Sequence, residues 1–127
     1  MPSATQQKGQ AGEKIAAAWL RKRGIRMMAS NYRYKHTEID LIGLAGQPGL
    51  ERGATIVFIE VKWRRKVEFV APESAITPAK QKNVIKAARA FLRHHRISGV
   101  NCRFDAVVLE GEGRSLKIRH IEDAFIA

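Results

Sequence analysis

The chain has 127 residues, 45% of them hydrophobic, which is typical of one globular domain with a single compact core and excludes a disordered chain. With 23 Lys and Arg against 12 Asp and Glu, its formal net charge of +11 favours a polyanionic partner such as nucleic acid, although a merely soluble basic domain or a ribosome-associated protein also fits. The only cysteine, Cys102, excludes an internal disulfide framework, and the lack of a signal-peptide core or a membrane-length apolar run predicts a soluble, unprocessed cytoplasmic protein.

The N-terminal part is predicted to contain one helix and one short strand. Residues 1–8 form a polar tail, and apolar residues at helical spacing predict the helix over residues 9–23. Glu13 lies near the start of that helix, where the helix dipole favours an acid. This role explains the residue without any catalytic or binding function. Residues 25–29 are a strand candidate, and the polar residues 30–33 predict a turn.

The next two strands are predicted to form a hairpin. They cover residues 37–44 and 56–63, and the loop between them contains glycines and a proline. On the first strand, alternation places Thr37, Ile39 and Leu41 on one face and Glu38, Asp40 and Ile42 on the other. If the loop is symmetric, Asp40 lies opposite Ile59 or Glu60.

The second strand of the hairpin carries two charges within an otherwise apolar run, which is typical of a strand buried on both faces. Glu60 and Lys62 lie on the same face, because side chains alternate along a strand. Burial of an ion is costly unless the ion is paired, hydrated or bound to a metal. We therefore expect the strand to end in a polar cleft, where the register brings Asp40 to the same end as Glu60 and Lys62.

A second helix is predicted to begin with Thr77 as its N-cap and Pro78 in its first turn, and to end near Arg96. Basic residues recur every three or four positions with no acid among them, and they form what we call the basic ridge: Lys82, Lys86, Arg89, Arg93 and Arg96. An unmixed ridge favours phosphate contacts over plain solubility. Gln81 follows the inward spacing, where its amide can close the polar cleft or simply bond to the backbone.

The C-terminal part predicts two strands, residues 101–109 and 115–121, and a final turn in residues 122–127 that Phe125 packs. Asp105 interrupts the first of these strands, and a structural pairing with an arginine is favoured over a role in a site. Surface or turn positions without a catalytic role are expected for His36, His94, His95 and His120. The element order αβββαββ predicts an α/β fold with a mixed β-sheet flanked by helices.

The residues that converge at the hairpin are those that a metal-dependent nuclease needs. Phosphodiester cleavage requires carboxylates that hold Mg²⁺ or Mn²⁺, a water, and a cation that orients the water or neutralises charge on the phosphate. Asp40, Glu60 and Lys62 supply that set, and the backbone carbonyl of Val61 can add a metal ligand. A salt-bridged pair of Glu60 and Lys62 fits the same pattern without any metal.

Several segments form a recognisable pattern: Gly12, Glu13, Ala16, Ala17 and Leu20, Asn31 to Arg33, Glu38 to Ile42, Phe58 to Lys62, Lys80 and Gln81, and Arg103 to Asp105. Together they resemble the PD-(D/E)xK signature of the restriction-endonuclease-like fold. Over nearly the whole chain they resemble the YraN-like family of small bacterial predicted endonucleases, which is related to archaeal Holliday junction resolvases.

The resemblance implies a role for each residue of the site. Asp40 and Glu60 would bind metal, and Lys62 would act on the water or the phosphate. Glu13 would complete the site from the first helix, with Gln81 as an accessory polar group. Resolvase relatives pair to cut both strands, so the resemblance leaves a homodimer open here.

The sequence therefore predicts a metal-dependent nuclease that acts on DNA phosphodiester bonds, with branched or single-stranded DNA of repair or recombination as candidate substrates. Phosphate contacts independent of DNA sequence are expected from the basic ridge and from Arg64, Arg65 and Lys66. One alternative is a nucleic-acid-binding module that has the nuclease fold but no turnover. A third hypothesis is a basic scaffold that binds a protein or RNA partner, in which Glu60 and Lys62 are simply paired.

Overall fold

The computed structural model describes residues 4–46, 53–64 and 76–127. Its helices and strands are α1 (Ala4–Lys22), β1 (Arg26–Tyr34), β2 (Thr37–Ala45), β3 (Thr55–Arg64), α2 (Pro78–His94), β4 (Asn101–Glu110) and β5 (Lys117–Phe125). A short 3-10 turn, Gly113–Ser115, separates the last two strands. The predicted element order αβββαββ is confirmed. None of the helices in these ranges is long and apolar enough to cross a membrane.

The five strands form one mixed sheet in the order β1-β2-β3-β4-β5. Neighbouring strands pair antiparallel except for β3 and β4, which are parallel and are separated in sequence by α2. A parallel pair requires a long crossover connection, and a helix that packs on the sheet supplies it. The prediction of a mixed sheet flanked by helices, as in the restriction-endonuclease-like fold, is therefore confirmed.

β3 is the central strand and separates two hydrophobic clusters. The cluster under α1 contains Ala16, Ala17, Leu20, Leu41, Val57, Ile59, Val107 and Leu109. The cluster under α2 contains Ile56, Phe58, Val84, Ala87, Ala88, Phe91 and Phe104. Because successive residues of β3 alternate between the two clusters, the prediction of a strand buried on both faces is confirmed.

The alternation predicted for β2 is wrong in one respect. Ile39 and Leu41 were expected on the same face, but Ile39 packs in the α2 cluster and Leu41 in the α1 cluster. Ile42 packs again with the α2 cluster. The strict alternation of the strand is therefore interrupted at Asp40, between two residues that face opposite sides of the sheet.

The limits of the helices differ from the prediction. α1 begins at Ala4, within the predicted tail. The predicted cap of α2 is confirmed, since Oγ1 of Thr77 accepts the N–H of Lys80 at 3.2 Å. α2 ends at His94 rather than Arg96, whose backbone is left-handed with φ of 52° and so terminates the helix.

Two predicted turns are strand instead. Residues 30–33 belong to β1, because Tyr32 pairs with β2 and its ring packs edge-on against α2. β5 continues to Phe125 and does not end in a final turn, because it pairs with β4 almost to the chain terminus. The packing predicted for Phe125 is confirmed, since its ring stacks on Phe104 with centroids 4.7 Å apart.

Asp105 forms the centre of a buried polar network. Arg103 donates to both of its carboxylate oxygens at 2.9 Å, the N–H of Asp123 donates at 3.1 Å, and His120 Nε2 donates at 2.7 Å. Burial raises the pKa of Asp105, but the hydrogen bonds from His120 and Arg103 outweigh it and hold the pKa below 3.8. The predicted pairing with an arginine is confirmed. The surface position predicted for His120 is wrong, since its side chain is only 5% exposed.

The Asp105 network is expected to contribute strongly to stability. The substitution Asp105→Ala should lower the free energy of unfolding by about 3–5 kcal/mol, because it removes the acceptor of Arg103 and His120 inside the protein. Urea unfolding followed by circular dichroism measures this loss. The matched control is Glu122→Ala, which removes an exposed acid 3.8 Å from the same arginine and should cost less than about 1 kcal/mol. Equal small losses in both variants would contradict the assignment.

Candidate functional site

The candidate site lies where β2 and β3 stop pairing. The ladder ends with Leu41 opposite Ile59, so the next position brings Asp40 opposite Glu60, and the predicted register is confirmed. The N–H of Val61 donates to Oδ2 of Asp40 at 2.8 Å. A side-chain oxygen therefore replaces a backbone carbonyl as the acceptor, which places the carboxylate of Asp40 in the gap between the two strands.

Three carboxylates meet at this gap, and we call them the acidic cluster: Glu13 of α1 with Glu38 and Asp40 of β2. One oxygen from each carboxylate lies within 4.8 Å of the others. All three side chains are half-buried, so their charges are only partly screened by water. Such oxygen donors are the ligands that Mg²⁺ and Mn²⁺ prefer in proteins.

Asn31 of β1 connects two members of the acidic cluster. Its Nδ2 donates to both oxygens of Glu13, at 3.0 and 2.8 Å, and to Oε1 of Glu38 at 2.5 Å. The backbone of Asn31 is left-handed, with φ of 52°, and the ladder register places the residue opposite Asp40. Asparagine tolerates this conformation better than most residues. The irregular backbone of β1 at Asn31 therefore lies opposite Asp40, the residue at which the alternation of β2 is interrupted.

Burial, together with repulsion between carboxylates, raises the pKa values of two acids of the site. Burial raises the pKa of Asp40 from 3.8 to about 7, and the nearby charge of Glu60 adds to the effect. Burial also raises the pKa of Glu13; the hydrogen bonds from Asn31 oppose the rise, while the charge of Glu38 adds to it. Near neutral pH the site therefore retains a proton on Asp40 for part of the time.

Two lysines contact the carboxylate of Glu60, which is only 7% exposed. Lys62 Nζ lies 3.6 Å and Lys80 Nζ lies 3.5 Å from the same Oε1 atom. The contact with Lys62 confirms that the two charges of β3 share a face. Lys80 comes from the first turn of α2, so this turn and the end of β3 meet at the site. Glu60 acts electrostatically on Asp40 but is not a member of the acidic cluster.

Of the remaining predicted site residues, Gln81 and Arg64 lie in the described part of the chain. Gln81 Nε2 donates to the carbonyl of Ile76 at 3.1 Å, so the backbone bond foreseen as an alternative is present. The Arg64 side chain is half-buried, and the Arg64 carbonyl accepts the N–H of Gly111 at 2.9 Å. Arg65 and Lys66 lie outside the described residues.

The members of the basic ridge that lie on α2 have the predicted orientation, and Arg96 follows the end of the helix. All members of the basic ridge are exposed: Lys82, Lys86, Arg89, Arg93 and Arg96. The opposite side of α2 packs in the hydrophobic cluster that it covers. Because Lys80 at the start of the helix contacts Glu60, the basic ridge begins beside the site and leads away from it along a helix of 17 residues, about 25 Å long.

Three residues of the site were not predicted. Glu38 lies two positions before Asp40, and the period of two alone indicates that they are neighbours. Lys80 places a positive charge in the first turn of a helix, where the dipole disfavours it, and this anomaly is a signal for a nearby acid. The role of Asn31 has no such signal, because its left-handed backbone cannot be deduced from a polar sequence that also fits a turn.

Comparison with known proteins identifies relatives along most of the chain. The sequence profile described as "Uncharacterised protein family UPF0102" matches residues 12–109. A UPF0102 protein of Prosthecochloris aestuarii is 38% identical over 125 residues, which cover 94% of this chain and 93% of the relative. Those of Chlorobium phaeobacteroides (strain DSM 266) and Coxiella burnetii (strain RSA 493) are each 41% identical, over 124 and 108 residues, covering 91% and 84% of both chains. These names state no activity.

The raised pKa of Asp40 predicts how stability depends on pH when no metal is present. Between about pH 4 and pH 7 the folded protein retains a proton that the unfolded chain releases, so the wild type loses stability as the pH rises through this window. The variant Asp40→Asn has no such proton, and its amide oxygen can still accept from Val61. In EDTA it should be more stable than the wild type by about 1–3 kcal/mol at about pH 8 and nearly equal at about pH 4.

Thermal unfolding across this pH range tests the effect. The exposed-acid variant Glu122→Gln is the control for the loss of one carboxylate elsewhere on the surface. A difference between Asp40→Asn and the wild type that is the same at both ends of the range would show that Asp40 titrates normally.

Proposed function

The chain belongs to the UPF0102 family, as its resemblance to YraN-like proteins predicts, and we propose that it is a metal-dependent nuclease that hydrolyses DNA phosphodiester bonds. The observation that carries the proposal is the acidic cluster beside a carboxylate shared by two lysines, at the open end of the β2–β3 ladder. Carboxylates for a metal ion and a cation for phosphate are the groups that this reaction requires.

The donor set fits a divalent cation. Carboxylate oxygens from Glu13, Glu38 and Asp40 lie close together, and the pKa of Asp40 is raised to about 7, so a bound cation would relieve repulsion and displace a proton. When bound, Mg²⁺ or Mn²⁺ would supply a more acidic water and neutralise charge on the phosphate. Glu60 is adjacent, and ligation by its carboxylate and by the Val61 carbonyl stays a prediction.

The lysines provide the positive charge that the reaction needs. Lys62 and Lys80 share one carboxylate and remain 44% and 39% exposed, so both can reach a phosphate in the cleft. A single negative charge on Glu60 cannot neutralise both. We assign Lys62 to the attacking water or the phosphate, with Glu60 holding its ammonium group in position. Lys80 is placed to bind a neighbouring phosphate.

The basic ridge provides a surface for DNA. Its cations recur at each turn of α2 and begin beside the site, so a strand bound there would lead into the acidic cluster. Contacts to phosphates carry no base information. We therefore propose binding that depends on DNA structure rather than on DNA sequence.

One observation favours the alternative, a binding module without turnover. Both lysine contacts fall on the same oxygen of Glu60, and this pairing can satisfy the carboxylate without a metal ion. In that case DNA binding would persist in EDTA at full strength, and added Mg²⁺ would neither stabilise the protein nor produce cleavage.

Cleavage assays separate the two functions. Wild-type protein with Mg²⁺ or Mn²⁺ should cut branched, single-stranded or duplex DNA, and both Asp40→Asn and Glu60→Gln should lose about 100-fold or more in rate because each removes a carboxylate from the site. The exposed-acid variant Glu122→Gln should retain full activity. The same products at the same rate from wild type, Asp40→Asn and Glu60→Gln would contradict the nuclease proposal.

The role of the basic ridge is tested by salt dependence. The triple variant Lys86→Ala, Arg89→Ala and Arg93→Ala should bind duplex DNA more weakly, and the slope of log affinity against log salt should fall by roughly one unit per lost phosphate contact. The charge-matched control replaces the exposed residues Lys22, Arg114 and Lys117 by alanine. An equal change of slope in both triple variants would show that net charge, and not the ridge, governs binding.

A further inference from the structure

A groove of about 430 Å³ lies between α1 and the edge strand β1. Glu13 and Asn31 line it, so the groove adjoins the acidic cluster. Its volume falls within the roughly 300–1,000 Å³ typical of pockets that hold small molecules or single residues of a polymer. Neither the proposed metal ligation nor the basic ridge uses this space.

The inner surface of the groove is apolar. Ala17 and Leu41 line it and are buried in the core beneath α1. The half-buried side chain of Met27 packs with the α1 cluster and lines the β1 side, whereas the side chain of Met28 packs against the α2 cluster on the other face of the sheet. Methionine is flexible and polarizable, and its sulfur makes favourable contacts with aromatic rings. This surface therefore suits a flat ring that can lie against it.

The rim of the groove is positively charged. Lys14 and Arg21 of α1 line it and are exposed. They are seven positions apart, so they lie on the same side of the helix, about 10 Å from each other along its axis. The groove thus presents an apolar surface for a ring and two cations for phosphates, while its one acid belongs to the acidic cluster.

We propose that this groove binds one unpaired nucleotide of DNA next to the phosphodiester bond that lies at the acidic cluster. The proposal rests on the proposed nuclease function and names its substrate class: single-stranded DNA or the unpaired segment of a branched structure. A paired base cannot enter the groove without unpairing and unstacking, which costs free energy that an unpaired base does not require. The groove therefore disfavours continuous duplex.

Met27 allows a direct test, and Met28 is an internal control because its side chain packs against the α2 cluster. The full-length protein is labelled with ¹³C at its methionine methyl groups, and the signals are assigned with Met27→Leu and Met28→Leu variants. In a Glu60→Gln background with Mg²⁺, where cleavage of the probe is slowed about 100-fold or more, an oligothymidine of about eight nucleotides should shift the Met27 signal and leave the Met28 signal in place. An abasic oligomer with the same phosphates, and a duplex, should leave both signals in place. An unmoved Met27 signal with oligothymidine, or an equal shift of that signal with the abasic oligomer, would overturn the proposal.

Affinity measurements provide a second test. Arg21→Ala should weaken oligothymidine binding by about three- to tenfold and duplex binding by less than about twofold, measured by fluorescence anisotropy at fixed salt. Lys22→Ala is the matched control, because it removes a neighbouring exposed cation of α1 that does not line the groove. Ser30→Trp, which fills the groove from an exposed position on β1, should act like Arg21→Ala. Equal effects of Arg21→Ala and Lys22→Ala on both DNA forms would contradict the proposal.

The outcomes separate the groove from the nuclease function. Selective binding of unpaired DNA without any cleavage would support the groove and reject the nuclease. Cleavage that Arg21→Ala and Ser30→Trp leave unchanged, together with an unmoved Met27 signal, would support the nuclease and reject the groove.

Discussion

Where β2 and β3 separate, the carboxylate of Asp40 accepts a backbone N–H that would otherwise pair with a carbonyl of the neighbouring strand. The ladder ends there, yet the N–H of Val61 still has an acceptor, because the Asp40 side chain supplies it. Helices on both faces of the sheet contribute side chains to this region: Glu13 of α1 joins Asp40 in the acidic cluster, and Lys80 of α2 contacts Glu60. The site depends on this one hydrogen bond for its position.

A second constraint comes from the edge strand. Asn31 is one of the few residues other than glycine that adopt a positive φ in the described chain, and its amide contacts Glu13 and Glu38 together. These bonds are charge-assisted and therefore stronger than bonds between neutral groups. They offset part of the repulsion between the two acids. The left-handed backbone at Asn31 of β1 and the interrupted alternation at Asp40 of β2 therefore lie opposite each other in the sheet.

The sequence was sufficient for the element order, the central buried strand and the hairpin register, because apolar spacing and loop symmetry determine them. It was not sufficient for features that depend on backbone irregularity. Strict alternation misplaced Leu41 relative to Ile39, and polar composition made residues 30–33 look like a turn. The surface position predicted for His120 is wrong for a related reason: only the fold brings this residue next to the buried Asp105. The sequence could have predicted Lys80 and Glu38 as site residues. A cation in the first turn of a helix is unusual, and so are two acids two positions apart on a strand.

The position of the two lysines has a consequence for the order in which ligands bind. The described groups at the site are four carboxylates and two ammonium groups, so the site is locally negative within a chain whose net charge is +11. A surface of this charge would attract the proposed DNA substrate, whereas the carboxylates at the centre would repel it in the absence of the proposed divalent cation. If the site binds the proposed cation and the proposed DNA substrate, the two affinities are thermodynamically linked, and each ligand increases the affinity for the other by the same factor. The acidic cluster would in this way restrict close approach of a phosphate to the metal-loaded state.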